Sequence, residues 1–337
     1  MQLKVENLTL GYPQRHAPTR LLVECLALAA PEGELIALLG RNGVGKSTLL
    51  RVLAGVRKPL DGRVTMGGKD VAALAAAEKA RLIAFVTTEP VTVAHLRVHE
   101  VVAMGRAPYT GWFGSLTEAD ERMVAESLER VGMAAFHDKT LDSLSDGERQ
   151  RVMIARALAQ DTPLVLLDEP TAFLDLPNRY QIALLLRDLA HETGKTILYS
   201  SHDLSTALEL CDTLWVMTPR GVAAGAPEDM LLSGMLEGMF EGTPLTLTPQ
   251  GTVQLKRITR GTLRVAADVE PAVARMVERT ATRFGYEVVE DERREADVLV
   301  GSSAVARCVL TRTDNRTTVE VPDFHALATL LRSFRVR

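Results

Sequence analysis

The chain has 337 residues, 46% of them hydrophobic and 24% charged, with 43 acidic side chains against 39 Lys plus Arg. Those proportions exclude a disordered or fibrous protein, and a formal net charge of -4 gives no sign of a surface built to wrap nucleic acid. The length is long for a single hydrophobic core, so two domains are expected.

The opening MQLKVENLTLGY lacks the basic stretch and apolar core of a secretory signal, and a cytosolic address is expected. The longest apolar stretches, such as Leu21 to Leu39, are interrupted by Glu24, Glu32 and Glu34 and fall short of the roughly 18 residues needed to cross a bilayer. Cys25, Cys211 and Cys308 are widely spaced, without a CxxC pair or a nearby His ligand set. All three are expected to be small buried thiols in a reducing compartment.

Short apolar segments at Leu35 to Leu39, Leu164 to Leu167 and Thr196 to Tyr199 predict strands alternating with longer helices, the pattern of an α/β sheet covered by helices. Between Leu96 and Leu158 the chain reads as mainly helical. There Glu118 to Val131 and Glu148 to Gln160 carry apolar positions three and four apart, and Pro108, Gly111 and Gly114 mark turns. This is the pattern of a helical insertion in the sheet domain.

Residues 243–250, TPLTLTPQ, hold two prolines and no charge, and predict a linker or domain edge. A first domain over 1–242 and a second over 251–337 are expected. In the second, strands are predicted at Leu263 to Ala266, Glu287 to Val289, Val298 to Val300, Cys308 to Arg312 and Thr317 to Val321, with a hairpin turn over Thr313 to Arg316. Helices fit Pro271 to Phe284 and Pro322 to Phe334. This is a small α+β domain with no catalytic constellation.

The strongest chemical signal is Gly40-Arg41-Asn42-Gly43-Val44-Gly45-Lys46-Ser47, a GxxxxGK[ST] match between a buried strand and a helix predicted to start near Lys46. Glycines let the backbone bend until several N–H groups point at one phosphate chain. The helix N-terminus adds a positive end, Lys46 supplies charge, and Ser47 offers a hydroxyl to magnesium. Asp168 and Glu169 follow the apolar strand Leu164 to Leu167. One carboxylate can hold magnesium through its water shell while the next orients and deprotonates an attacking water.

Two further stretches narrow the reading. Leu144-Ser-Asp-Gly-Glu-Arg-Gln-Arg151 opens a helix about twenty residues before Asp168, and Ser200-Ser-His202-Asp203 follows an apolar strand. In this combination and order, residues 1 to about 242 resemble the ATP-binding subunits of ABC transporters. The resemblance implies a phosphate-loop α/β fold with a helical insertion, and ATP with Mg2+ as the bound pair. It places Tyr12 against adenine, and Gly40 to Ser47 together with Thr48 around the phosphates. Ser47 and Asp168 fall at the magnesium, Glu169 as the base, and His202 as a switch residue near the γ-phosphate. Asp175 becomes a dimer contact, and Ser145 and Gly147 reach the ATP held by a second copy. It further implies an integral-membrane permease dimer, an extracytoplasmic substrate-binding protein acting through that permease, no nucleic acid, and a peripheral place on the cytoplasmic face of the inner membrane.

Two positions depart from the family pattern. LSGGQ is replaced by LSDGE, putting Asp146 where a carboxylate pointing inward would repel ATP. At the first turn of a helix an acid complements the macrodipole, so Asp146 is expected to point outward. The usual glutamine after Ile83 to Val86 is replaced, with Thr88 aligned to it and Glu89 adjacent, and either can take the magnesium role through a water. Met104-Gly-Arg-Ala-Pro-Tyr109 and Leu116-Thr-Glu-Ala-Asp120 resemble the iron-chelate and cobalamin importer branch, favouring ferric siderophore over haem or cobalamin. A soluble ABC ATPase acting on nucleic acid usually carries two cassettes or a long coiled coil, and this chain has neither. A phosphate-loop kinase or GTPase leaves LSDGERQR and His202 without a role.

Overall fold

Every residue of the strand Leu35–Leu39 is buried. Alternation sends Leu35, Ala37 and Leu39 into one hydrophobic core and Ile36 and Leu38 into another, on the opposite face of the sheet. The same parity holds in Leu164–Leu167, where Val165 and Leu167 face the first core and Leu164 and Leu166 the second. Strands covered on both faces read as continuous apolar runs, which is why these two stand out in the sequence. They belong to a six-stranded sheet in the order Gly221–Gly225, Thr213–Thr218, Leu35–Leu39, Thr196–Ser201, Leu164–Leu167, Ile83–Val86. Neighbours run parallel except the edge strand Gly221–Gly225, which is antiparallel to Thr213–Thr218. The structure, a computed structural model, describes residues 2–13, 19–88, 95–111, 114–256, 259–289, 291, 295–303 and 307–333.

The second core is closed by the phosphate-loop helix Lys46–Leu53 and a four-stranded antiparallel sheet built from Leu3–Tyr12, Arg20–Ala30, Asp61–Met66 and Lys69–Asp70. The pairing of Leu3–Tyr12 with Arg20–Ala30 shifts register between Leu8 and Leu10. Cys25 lies in this irregular stretch with φ +51° and is exposed, against the expectation of three buried thiols; Cys211 and Cys308 are buried. A bulge turns a side chain to the face that strict alternation denies it.

The first core is completed by the helical insertion, in which Val98–Ala103, Glu118–Arg130 and Asp146–Ala159 pack together. Its base is tied by a buried ion pair. Arg106 Nε donates to Asp120 Oδ1 at 2.8 Å, and its Nη1 donates to the Ala159 carbonyl at 2.7 Å. The Thr117 hydroxyl and N–H, with the Arg106 guanidinium, hold the Asp120 carboxyl down to about 2. Tyr109 lies against Arg106 at 4.0 Å, and its hydroxyl donates to the Gln160 carbonyl at 3.1 Å. The segment that suggests the importer branch therefore fastens the insertion onto its own last helix.

The chain divides into two compact units, Met1–Gln254 and Leu255–Arg337. Residues 243–250, expected as a linker or domain edge, contain the strand Leu245–Leu247, which pairs with Val253–Leu255. Leu247 packs against the first core. The second unit is a five-stranded sheet in the order Tyr286–Val288, Gly261–Val265, Val298–Gly301, Cys308–Arg312, Thr318–Val321, its first three strands parallel and its last two forming an antiparallel hairpin. Helices Pro271–Arg283 and Phe324–Ser333 pack together on it over a core of Leu263, Tyr286, Val300, Leu310 and Leu331.

Candidate functional site

Three parallel strands end at the carboxyl edge of the six-stranded sheet. Leu39 pairs with Ser201, and Leu167 with Tyr199. Gly40 therefore leaves the sheet level with His202, and Asp168 two residues lower, level with Ser200, at the edge where open parallel sheets present ligand sites. Strand parity decides what Asp168 faces. One residue beyond Leu167, it returns to the face of the phosphate-loop helix, and it is buried there. The Ser47 hydroxyl donates to Asp168 Oδ1 at 3.0 Å.

Gly40 passes so close to the neighbouring strand that a Cβ would lie 2.6 Å from the Met217 carbonyl oxygen, and Gly43 has φ +79°. These two glycines set the path of the loop. The helix Lys46–Leu53 begins at the loop's end, with its first N–H groups directed outward. Lys46 Nζ donates to the Gly40 carbonyl at 2.8 Å and lies 3.6 Å from Glu169 Oε1. Burial pushes the Lys46 ammonium below its ordinary value, opposed by the adjacent Glu169 carboxylate and by Asp168. A buried cation 3.6 Å from a part-exposed carboxylate is poised to exchange that partner for a polyanion.

These groups open into a cavity of about 460 Å³ lined by Asn42, Gly43, Gly45, Lys46, Ser47 and Glu169, with Tyr12 and Thr48 at one end. The Tyr12 hydroxyl shares a 2.6 Å hydrogen bond with Thr48 Oγ1, and the Arg57 guanidinium covers its ring at 4.3 Å from the centroid. Tyr12 is thus anchored at its hydroxyl while 40% of the residue remains exposed. Arg41 is exposed at the loop's outer edge, and Val44 packs against the second core. Glu169 adopts φ +50°, an uncommon conformation for a non-glycine residue that turns the chain out of its strand. His202 is exposed just past Thr196–Ser201.

One member of this cluster was not singled out by its residue type. Ser200, fully buried, donates to Asp168 Oδ1 at 2.7 Å and accepts the Glu169 N–H at 2.9 Å. A serine at an inward position of an apolar strand is the signal that could have found it. Ser47 and Ser200 hydroxyls thus meet on one carboxylate oxygen. Two adjacent hard oxygen donors, one ionised, at the mouth of a phosphate-sized loop are a donor set that fits magnesium, and fits zinc or another soft-ligand metal poorly.

The remaining sequence-selected residues lie outside that cavity. Ser145 caps the helix Asp146–Ala159 and is exposed. A Cβ on Gly147 would meet only Asn178 side-chain atoms, at an ordinary 3.6 Å. Asp146, its side chain 70% exposed, lies 3.8 Å from Arg149 and lines a second cleft with Thr88, Gln150 and Phe173. Asp175 caps the helix Leu176–Thr193, accepting the Asn178 N–H at 3.1 Å, behind an almost fully exposed Phe173 with φ +64°. Glu89 lies outside the described residues.

The ABC transporter family profile matches residues 23–172. The achromobactin transport ATP-binding protein of Dickeya dadantii is 39% identical over 235 residues, 69% of this chain and 86% of that protein. The cobalamin import ATP-binding protein of Halobacterium salinarum is 41% identical over 226 residues, 67% of this chain and 56% of that protein. Among solved structures, an inward-facing metal-chelate type ABC transporter is similar with a TM-score of 0.62 and 27% identity, covering 75% of this chain and 94% of that one. Among the described residues no helix is long and apolar enough to cross a membrane. The chain belongs to the ABC transporter ATP-binding proteins and is an importer-type ATPase subunit.

Proposed function

We propose that this subunit powers the import of ferric siderophores, working as a homodimer beneath a permease dimer on the cytoplasmic face of the membrane, with an extracytoplasmic binding protein delivering the chelate. Residues 1–242 act as the ATPase cassette and 251–337 as an accessory domain. The observation that carries the catalytic part is the hydrogen-bonded line Ser47, Asp168, Ser200 beneath a cavity holding Lys46 and Glu169. The siderophore assignment is supported by the achromobactin relative and the metal-chelate transporter. Cobalamin is the second reading, favoured by the Halobacterium relative.

In this account Tyr12, steadied by Thr48 and Arg57, stacks on adenine. The backbone N–H groups from Gly40 through Thr48 surround the phosphates, with Arg41, Asn42 and Val44 shaping the loop. Lys46 leaves Glu169 for the β and γ phosphates, and the freed Glu169 carboxylate takes the proton of the attacking water. Ser47 and Asp168 are the residues that would hold Mg2+, which would supply charge neutralisation at the phosphates. Thr88 or Glu89 would take the place of the family's glutamine beside that ion. His202 steadies the γ-phosphate from the neighbouring strand end. Ser145 and Gly147 meet the ATP of the second copy, and Asp175 contacts that copy. Among the described residues the nearest atoms to a Cβ on Gly147 lie at an ordinary 3.6 Å, as expected if the demand for glycine comes from the partner's nucleotide.

The test is uptake in cells lacking this subunit, complemented with it, and co-purification of its permease from detergent-solubilised membranes. Restored ferric siderophore uptake supports the proposal. Restored cobalamin uptake alone selects the second reading, and recovery of the chain with no membrane protein contradicts both.

A further inference from the structure

The signature helix carries a second acid besides Asp146, and its contacts are more specific. Glu148 Oε2 accepts the Ser145 N–H at 2.8 Å and the Ser145 hydroxyl at 2.7 Å, while the Glu148 N–H donates back to Ser145 Oγ at 3.3 Å. The arrangement is a complete capping box. A hydroxyl has one proton to give, and this one is given to a carboxylate. A phosphate oxygen at neutral pH accepts only, so it can bind Ser145 Oγ solely by taking that proton's hydrogen bond away from Glu148. Hydrogen bonds from Ser145 hold the Glu148 carboxyl below its ordinary value, so it is ionised and a strong competitor.

Resting on the reading above, in which Ser145 meets ATP carried by a second copy, we propose that Glu148 is a positioning residue. It holds the Ser145 hydroxyl in the unpaired subunit, and ATP-driven pairing must first break that hold. The signature is therefore set to close weakly on ATP alone. Glutamine at this position keeps the cap, because its carbonyl oxygen still accepts the Ser145 N–H. Its amide can donate to Ser145 Oγ and leave the hydroxyl proton free for phosphate.

The experiment uses the full chain in the Glu169→Gln background, so that ATP is not consumed, and follows dimer formation by analytical ultracentrifugation as MgATP is raised. Glu148→Gln is expected to lower the ATP concentration for half-maximal pairing by about tenfold, the scale of one charge-assisted hydrogen bond, with the melting temperature lowered slightly by the lost charge at the helix start. The gain is expected to vanish when Ser145→Ala is added, since no hydroxyl remains to release. An unchanged or higher ATP requirement in Glu148→Gln, with pairing still weakened by Ser145→Ala, overturns the inference and leaves the site reading standing. So does a gain that survives Ser145→Ala, which would be charge removal alone. If neither substitution moves pairing while ATP still binds, Ser145 is not at the interface and both fall.

Discussion

The phosphate-loop cavity and the signature edge are both built at helix N-termini, yet their polar groups are satisfied in opposite ways. In the cavity the buried Asp168 is held by distant parts of the chain, Ser47 and Ser200, and the buried Lys46 by the Gly40 carbonyl of its own loop and by Glu169 just past the strand Leu164–Leu167. At the edge Ser145, Asp146 and Asp175 are exposed, and among the described residues their side chains bond to residues a turn away on their own helices. A site held by long-range contacts is organised by folding itself. One held by local caps is free to meet a second surface, and this is the difference that the proposed sharing of the site between two copies, an organised half from one and an open half from the other, requires.

The sharpest way to break that comparison is at Glu169. Glu169→Gln keeps the carbonyl oxygen but removes the base, and turnover is expected to fall by roughly 10² to 10⁴ while ATP binding persists. Equal turnover in a steady-state phosphate-release assay would remove Glu169 from its role. Lys46→Ala follows. It deletes a buried cation that already serves the ground state, so ATP affinity by calorimetry is expected to weaken by roughly 30-fold or more. Unchanged affinity would contradict the assignment of the cavity.

Ser200→Ala sharpens the comparison from within the organised half. It leaves the Asp168 carboxylate short of a donor and the Glu169 N–H without its acceptor, costing about 1–3 kcal/mol in chemical denaturation. It should also raise the magnesium concentration needed for turnover, which a purely structural serine would not do. The smallest effect is expected at Asp146. Its side chain is 70% exposed and lies beside Arg149, so Asp146→Gly should change ATP affinity by less than about twofold, with a slight loss of stability from the lost acid and the added backbone freedom. An affinity gain that shrinks as salt rises would show the carboxylate facing nucleotide after all.

The organised half was also the more legible in sequence. Leu35–Leu39 and Leu164–Leu167 appear with the bounds their apolar runs predict, because burial on both faces leaves no polar position to blur them. The loop glycines, Lys46, Asp168 and Glu169 follow from what must stand at those strand ends. What escaped notice depends on pairing that spacing does not encode. Ser200 matters only once Leu167 is known to lie beside Tyr199. Cys25 is exposed because of a register shift between two strands. Leu245–Leu247 lies in a stretch that reads as a linker or domain edge, and its strand is not visible there because two prolines and no charges are equally compatible with a short strand packed on the core. At the open half the Ser145 to Glu148 spacing is visible as a capping box, but which acceptor takes the hydroxyl proton is a matter of geometry.

The claim that the two halves make one site only across two copies is tested most directly by cross-linking. Arg41→Cys is placed in one preparation and Asp146→Cys in another, both exposed positions, each in a Glu169→Gln background with the exposed Cys25 changed to serine. The two are mixed with a short bifunctional maleimide. The account predicts a covalent dimer joining the two kinds of chain that forms with MgATP and is lost without it. Cross-linking that ignores ATP, or its absence while both chains bind ATP, would contradict it.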